Sequence, residues 1–549
     1  MASGSRKTGC CEGLGRMLGG DSQPPVASQH FRRVRKLRSA SSAFVLVAMS
    51  FAICGCAVGP NFSPAAEPDV IGYVKGALTS ADPGKGPPGV PGQRFITGAD
   101  VSTRWWAAFK SEPLNELVRE SVNHNPNLQA AEAAIKIARY NALAQRGLFF
   151  PQVTGNSATQ QILVANPQQV PPIPTQGPQS EFSLVTNQLT VSFVPDIWGG
   201  NFRAVESLDA TTEQQLFQLE AAYLTLTSNV VTAAIQEASL RGQIEATQRI
   251  IAIERHLLDI LKKQLNFGQA AQADVLAQDA ALAQAEELLP PLEKQLAQQR
   301  DLLTALAGQY AADEIRQKFD LAHLKLPTNL PISLPGKLVD QRPDVRAAEA
   351  NMHSAAAQIG VAVAARLPNI TLSANGGSAA FNWPQTFAPG TGFFTLGAAA
   401  AAPIFDGLTL YHKQKAAEAA LEQAEAQYRA TVITAFQNVA DALRALQADA
   451  KAMRAARRAE DAAKASLDIV QKQLSEGQVN QLAVLNAQQT YLTAAVVRVQ
   501  TEANRMADTA ALFMALGGNW PSNCTVPDWR ECALGDPPVP AAVAAVEAK

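Results

Sequence analysis

The chain is 549 residues long, 47% apolar and 6% aromatic, with 46 Lys and Arg, 48 Asp and Glu and six His. The near balance of charge excludes the basic surface of a nucleic-acid binder, and histidines never closer than 30 residues in sequence show no metal or triad spacing, so no cofactor or catalytic centre is called for. The Ala-, Leu- and Gln-rich remainder reads as long helices.

Eight of the first 39 residues are Lys or Arg, opposed by Glu12 and Asp21, and an uncharged stretch through Phe44, Val47 and Phe51 follows. A basic segment followed by a short apolar core predicts a secretory signal over residues 1–55, too short in its apolar part for a membrane span. It ends in Ile53-Cys54-Gly55-Cys56, which resembles the lipobox of bacterial lipoproteins and makes Cys56 the expected lipid-attachment site. Cys54 is the rival, but Ile53 precedes it where a small residue is needed. Removing the signal leaves a net charge of about −8.

Residues 56–103 are rich in Pro and Gly and predict a tether between lipid and fold. A first repeat is expected over 104–308. It opens on Trp105-Trp106 and a helix pair interrupted at Pro126, then reaches strands near 152–162 and 182–194. In the second of these Val185, Leu189, Val191 and Phe193 alternate with Thr186, Gln188, Thr190 and Ser192, the period of a strand with one apolar face. A proline-free helix follows from Phe202 to about Asn266, some 65 residues and roughly 95 Å long. Gly268 ends it, and a return helix runs to Gly308, with a break expected at Pro290-Pro291 because proline removes a backbone donor. After a linker over 309–335, the second repeat is expected over 336–518. Its strands lie near 369–377 and 393–402, its long helix runs from about Leu410 to Ser475, its turn is at Gly477, and its return helix is unbroken at Val499-Gln500. The tail, 519–549, is rich in Pro and Ala and holds Cys524 and Cys532, which could form a disulfide in an oxidising periplasm.

The two repeats are copies of one module. LNFGQAAQADVLAQDAALAQAE from Leu265 returns as LSEGQVNQLAVLNAQQTYLTAA from Leu474, placing Gly268 and Gly477 209 residues apart, and HNPNLQAAEAA from His124 returns as QRPDVRAAEAN from Gln341. LFFPQVT from Leu148 returns as RLPNIT from Arg366, and FVPDIWGG from Phe193 has a looser partner in PIFDG from Pro403. The period is far too long for a stacked solenoid.

Strands with one apolar face cannot stand alone in a bilayer, since their edges would leave backbone groups unsatisfied. Four per chain are too few to close a barrel; three copies supply twelve. The predicted fold is therefore mainly α with transmembrane β: an antiparallel coiled-coil barrel, internally duplicated, beneath a trimeric 12-stranded β-barrel. Cys56-Ala57-Val58-Gly59-Pro60-Asn61-Phe62, the HNPNLQAA and QRPDVRAAEA pair and the two Gly turns resemble the TolC-like outer-membrane factors, specifically their lipidated branch. That resemblance, over residues 56–520, implies a homotrimeric exit duct for small molecules in the outer membrane, extending into the periplasm, with a periplasmic adaptor and an inner-membrane transporter as partners and no chemistry of its own. Ala57 after the cysteine, where the family's inner-membrane retention signal is Asp, implies sorting to the outer membrane.

In such ducts the gate follows the helix-tip turns. Asp274 falls where the family's first repeat carries Asp, and a ring of three would select cations; alternatively it only favours the first turn of its helix through the macrodipole. The second repeat has Ala483 and Asn486 where family members carry gate aspartates, so Asn486 is the remaining candidate there. Gln478, Asn480 and Gln481 are expected either as adaptor contacts or as solvated turn structure. The competing readings are a structural envelope-spanning coiled-coil lipoprotein, which leaves the amphipathic strand pairs unexplained, and a type I secretion duct for polypeptides.

Overall fold

The computed structural model describes residues 57–66, 68, 70, 72–75, 92–164, 180–518 and 529–534. The signal, Cys56 and Cys524 fall outside these residues, and with Cys524 the expected disulfide.

Strand β1 (Arg94–Thr97) precedes a short turn of helix that buries Trp105, Trp106 and Phe109. Helices α1 (Glu112–His124) and α2 (Pro126–Arg146) meet at Asn125, whose side chain caps α2 by accepting from the Asn127 N–H at 2.9 Å. Strands β2 (Gln152–Val164) and β3 (Ser180–Phe193) lead into α3 (Gly200–Asn266), and α4 (Gln272–Glu287) and α5 (Leu289–Leu306) return from the turn. The break between α4 and α5 falls at Leu288, just ahead of Pro290-Pro291, because those residues fit only a helix's first turn. The linker carries β4 (Asn329–Ile332), which pairs in parallel with β1, and then α6 (Pro335–Gln341) and α7 (Pro343–Ala364). The second half repeats the plan: β5 (Asn369–Ala380), β6 (Gly392–Ala401), α8 (Thr409–Ser475) and one unbroken return helix, α9 (Gln481–Ala515). A last short helix, α10 (Trp529–Leu534), closes the described chain.

The segment expected as a tether packs at both ends: β1 is tied to the linker through buried Phe95, Leu330 and Ile332, and residues 57–62 dock as described below. Of the tail, Trp529 is 1% exposed and its indole N–H donates to Glu132 at 2.6 Å. Pro/Gly composition does not report isolated apolar residues that find a core.

The four-stranded antiparallel sheet has the order β2-β3-β5-β6, so its central pair, from Val185↔Ala380 to Phe193↔Leu372, joins the two repeats. Its outer strands, β2 and β6, have no further partner among the described residues of the chain. On β6, Phe394 is 80% and Leu396 75% exposed, an apolar surface that a solvated sheet would hide. Among the described residues no helix is long and apolar enough to cross a membrane.

α3 and α8 have 67 residues each, about 100 Å of helix. The main core lies where β1, the linker, α1 and the middle of the long helices meet, around Trp105, Phe109, Leu117, Leu219, Val439 and Phe513. Towards the turns only narrow seams remain: Ile251, Leu258, Leu261, Val275 and Leu282 between α3 and α4, and Leu467, Val484 and Ala487 between α8 and α9. Those ends therefore carry much less buried apolar area to hold them together.

Candidate functional site

At the strand-to-helix turns an aspartate caps each long helix. The Asp196 carboxylate accepts from the N–H groups of Asn201 (3.0 Å) and Phe202 (2.7 Å), and Asp406 from that of Leu410 (2.8 Å). These are the matched aspartates of FVPDIWGG and PIFDG, so the loose sequence echo corresponds to a shared cap.

The residues following Cys56 dock on the first of these turns. The Val58 N–H donates to Trp198 O at 3.1 Å, and Arg203, 3% exposed, donates to Val58 O (3.1 Å), Asn61 Oδ1 (2.7 Å) and Glu206 (2.7 Å). Phe62 stacks on His353 with ring centroids 4.4 Å apart, and His353 Nε2 lies 3.1 Å from Glu206. Burial raises the proton affinity of Glu206, but Arg203 and His353 together outweigh it and hold the carboxyl below the usual range. The segment approaches α7 so closely that a Cβ on Gly360 would stand 2.7 Å from Val58 O.

The two tips share one geometry. Gly268 and Gly477 have φ of 70° and 71°, and nothing stands within 4 Å of where a Cβ would be, so glycine is required for its backbone and not for space. Each closes its helix with matching bonds: Gly268 N–H to Leu265 O and Gln269 N–H to Gln264 O, Gly477 N–H to Leu474 O and Gln478 N–H to Gln473 O.

The return helices start differently, and Asp274 is part of the difference. α4 begins at Ala271, which has no side-chain acceptor, and the Asp274 carboxylate accepts from the Ala271 N–H at 3.4 Å. α9 begins at Asn480, whose Oδ1 accepts from the Ala483 N–H at 3.1 Å. The paired differences Ala271/Asn480 and Asp274/Ala483 thus exchange one cap for another. Asp274 is half-buried and Asn486 exposed in the chain. Gln478 bonds Glu476 at 2.9 Å on the surface of the turn.

Gln481 belongs instead to a buried cluster that the sequence does not announce. Its amide donates to Gln278 Oε1 at 2.8 Å; Gln278 Nε2 donates to the carboxylate of Glu254 and, at 3.3 Å, to the Glu254 carbonyl. The amide end of Gln488 lies 3.1 and 3.3 Å from the two Glu254 carboxyl oxygens. Glu254 is 5%, Gln278 0%, Gln481 7% and Gln488 0% exposed, and burial pushes the Glu254 carboxyl above its usual range although the Gln278 amide opposes it. At the 209-residue offset the counterparts of Glu254 and Gln278 are Ala463 and Ala487, so this cluster has no equivalent in the second repeat. Further from the tip, Asp449 on α8 faces Asp508 on α9, and burial together with that second carboxyl pushes Asp449 up to about 7. Partners 24 to more than 200 residues apart are invisible to periodicity, which reports only which face of a helix is apolar.

Comparison with known proteins agrees with this geometry. Residues 117–309 and 334–518 match the family described as outer membrane efflux protein, one segment in each repeat. The chain is 27% identical over 418 residues to the pyoverdine export outer membrane protein OpmQ of Pseudomonas putida, covering 76% of this chain and 88% of that one. It is 27% identical over 497 residues to the toluene efflux pump outer membrane protein TtgF of Pseudomonas putida, covering 87% and 97%. Among solved structures it superposes on the outer membrane protein VceC of Vibrio cholerae with a TM-score of 0.69 at 26% identity, over 76% of this chain and 100% of that one. The outer-membrane channel OprN gives a TM-score of 0.74 at 24% identity, over 85% and 100%. These are channels, not members of an enzyme family. The chain belongs to the outer membrane efflux protein family, as the outer-membrane exit duct of a tripartite efflux pump, a homotrimer working with a periplasmic adaptor and an inner-membrane transporter.

Proposed function

We propose that this duct is a passive channel for small molecules, performing no chemistry, anchored through an acyl group on Cys56 and closed at its helix tips. The observation that carries the reading is the open-edged sheet: β2 and β6 lack partners within the chain's described residues while β3 and β6 each lead directly into a 67-residue helix, so closing the edges with further copies makes barrel and tunnel continuous. Relatives named for pyoverdine export and toluene efflux support small solutes, polar and apolar alike, as cargo, over polypeptides.

For the anchor, support comes from the docking of Val58 to Asn61 at the end of β3, which brings the chain after Cys56 to the barrel side of the long helix. For the gate, the two Gly turns end segments held by narrow apolar seams, so the tips are the cheapest place for the wall to move. Asp274 combines both roles considered for it: it caps α4 and leaves its charge half-exposed at the tip, where three copies would form an anionic ring.

Purified protein in planar bilayers tests this. Discrete conductance steps with cation preference are expected, and Asp274→Asn should lower the cation-to-anion permeability ratio. Failure to conduct in any variant that loosens the tip would return the chain to a structural lipoprotein.

A further inference from the structure

We infer that Glu254 is a protonatable latch: as a neutral acid it fastens the first repeat's hairpin to the second repeat's return helix above the tip, and its ionisation releases that hairpin, so the tip is held more firmly in acid than in alkali.

The cluster occupies the right place for such a device. Glu254 lies 14 residues before Gly268, about 21 Å up the helix, and Gln278 lies 10 residues after it, in the second turn of the return helix. Through Gln278 the carboxyl links α3 to α4, and through Gln481 and Gln488 it links both to α9, a helix of the other repeat. The surrounding apolar seams are narrow; Leu257 of α3 packs against the one between α8 and α9, and this polar junction adds a second tie between the two hairpins near the tip.

Among the described residues no cation bonds the carboxylate. On its own helix Arg255 is bonded to Glu286 of α4 at 2.6 Å, and His256 lines the groove towards α8, where Lys464 and Asp468 stand together. α4 carries only acids, Asp274, Asp279, Glu286 and Glu287, and α9 has no charged residue from Gln481 through Val497. A buried charge whose sole partners are amides is disfavoured against its neutral form, which agrees with the raised proton affinity.

The amides tolerate the proton. A protonated Glu254 donates to Gln488 Oε1; an ionised one requires Gln488 to turn over and offer its N–H₂, and the distances of 3.1 and 3.3 Å serve either orientation. The network is also short of donors, since the buried Gln481 Oε1 has no partner. Because the folded-state proton affinity is raised, the latch is intact below the ordinary carboxyl range and is lost as pH rises through the raised value.

This inference depends on the duct reading only for its consequence, so it is tested by a measurement that needs no conduction. Amide hydrogen exchange of the intact protein, corrected for the intrinsic pH dependence of exchange, is followed in α4 and the first turns of α9 from pH 5 to pH 9. In the wild type the opening equilibrium should rise with pH, by up to about tenfold per unit between the free and raised carboxyl values. Glu254→Gln, an isostere of the neutral acid, should remain protected with a flat profile. Gln278→Leu should raise exchange at every pH by cutting the bridge. Identical pH profiles for wild type and Glu254→Gln would overturn the latch. Bilayer conductance recorded in parallel should rise with pH only in the wild type; absence of pores in both would count against the duct and leave the exchange result to decide the latch.

Discussion

Single residues at the tips show how a duplicated sequence keeps a geometry while changing its means. Gly268 and Gly477 are retained at the matched turn because φ near 70° costs an L side chain about 1–2 kcal/mol, whatever surrounds it. Gly268→Ala should therefore destabilise the tip by about 1 kcal/mol without creating a clash, measured as faster local hydrogen exchange of the α3–α4 turn; Gly477→Ala should match it, since both positions stand in open space. Asp274 and Asn480 cap their helices from different positions, N3 and N-cap. The sequence difference between Asp274 and Ala483 is thus explained locally by capping, and the charge at the tip is what remains available to a gate.

Between elements, the N-terminal segment is the clearest case of a link that composition concealed. Pro and Gly predicted an extended tether; within it Arg203 holds Val58 and Asn61 while Phe62 lies on His353. Clamp and anchor are separable. Cys56→Ser should abolish fatty-acid labelling yet leave the segment docked, whereas Arg203→Met should keep the label and expose residues 57–62 to protease, with a loss of about 2 kcal/mol as the charged hydrogen bonds disappear. Since Arg203 and His353 hold Glu206 below the usual carboxyl range, the clamp is complete above that range and should loosen as pH falls through the lowered value, the opposite sign to the Glu254 cluster. The break between α4 and α5 is an element-scale difference that the sequence did announce, because proline's missing donor acts locally.

For the whole molecule, the sheet order sets the assembly. With β3 paired to β5, each chain offers β2 on one side and β6 on the other, so neighbouring copies meet edge to edge in a closed ring. Cysteines introduced singly on β2 and β6 of one chain, for example Ser157→Cys with Ala398→Cys and its register neighbours, should link between copies under oxidation. The resulting ladder should stop at three chains on a denaturing gel; bands beyond three, or links confined to one chain, would contradict the ring. Two repeats in each of three copies give six wall units, and Pro290-Pro291 and Asp274 in the first repeat's hairpin, with the Glu254 cluster that joins that hairpin to α9, reduce that six-fold similarity to three.

The amino-acid sequence alone determined what depends on neighbours along the chain: the duplication, the period-two strands, the proline-free helices, the Gly turns and the helix break. Each reflects a local steric or hydrogen-bonding rule that acts within a few residues. Only the tertiary structure decided that β1 joins the linker, that residues 57–62 are clamped by Arg203, and that Glu254, Gln278, Gln481 and Gln488 share one buried site. Those contacts join residues tens to hundreds of positions apart, and a polar residue on a helix reads as solvated until the packing of three helices removes its water and obliges it to find a partner.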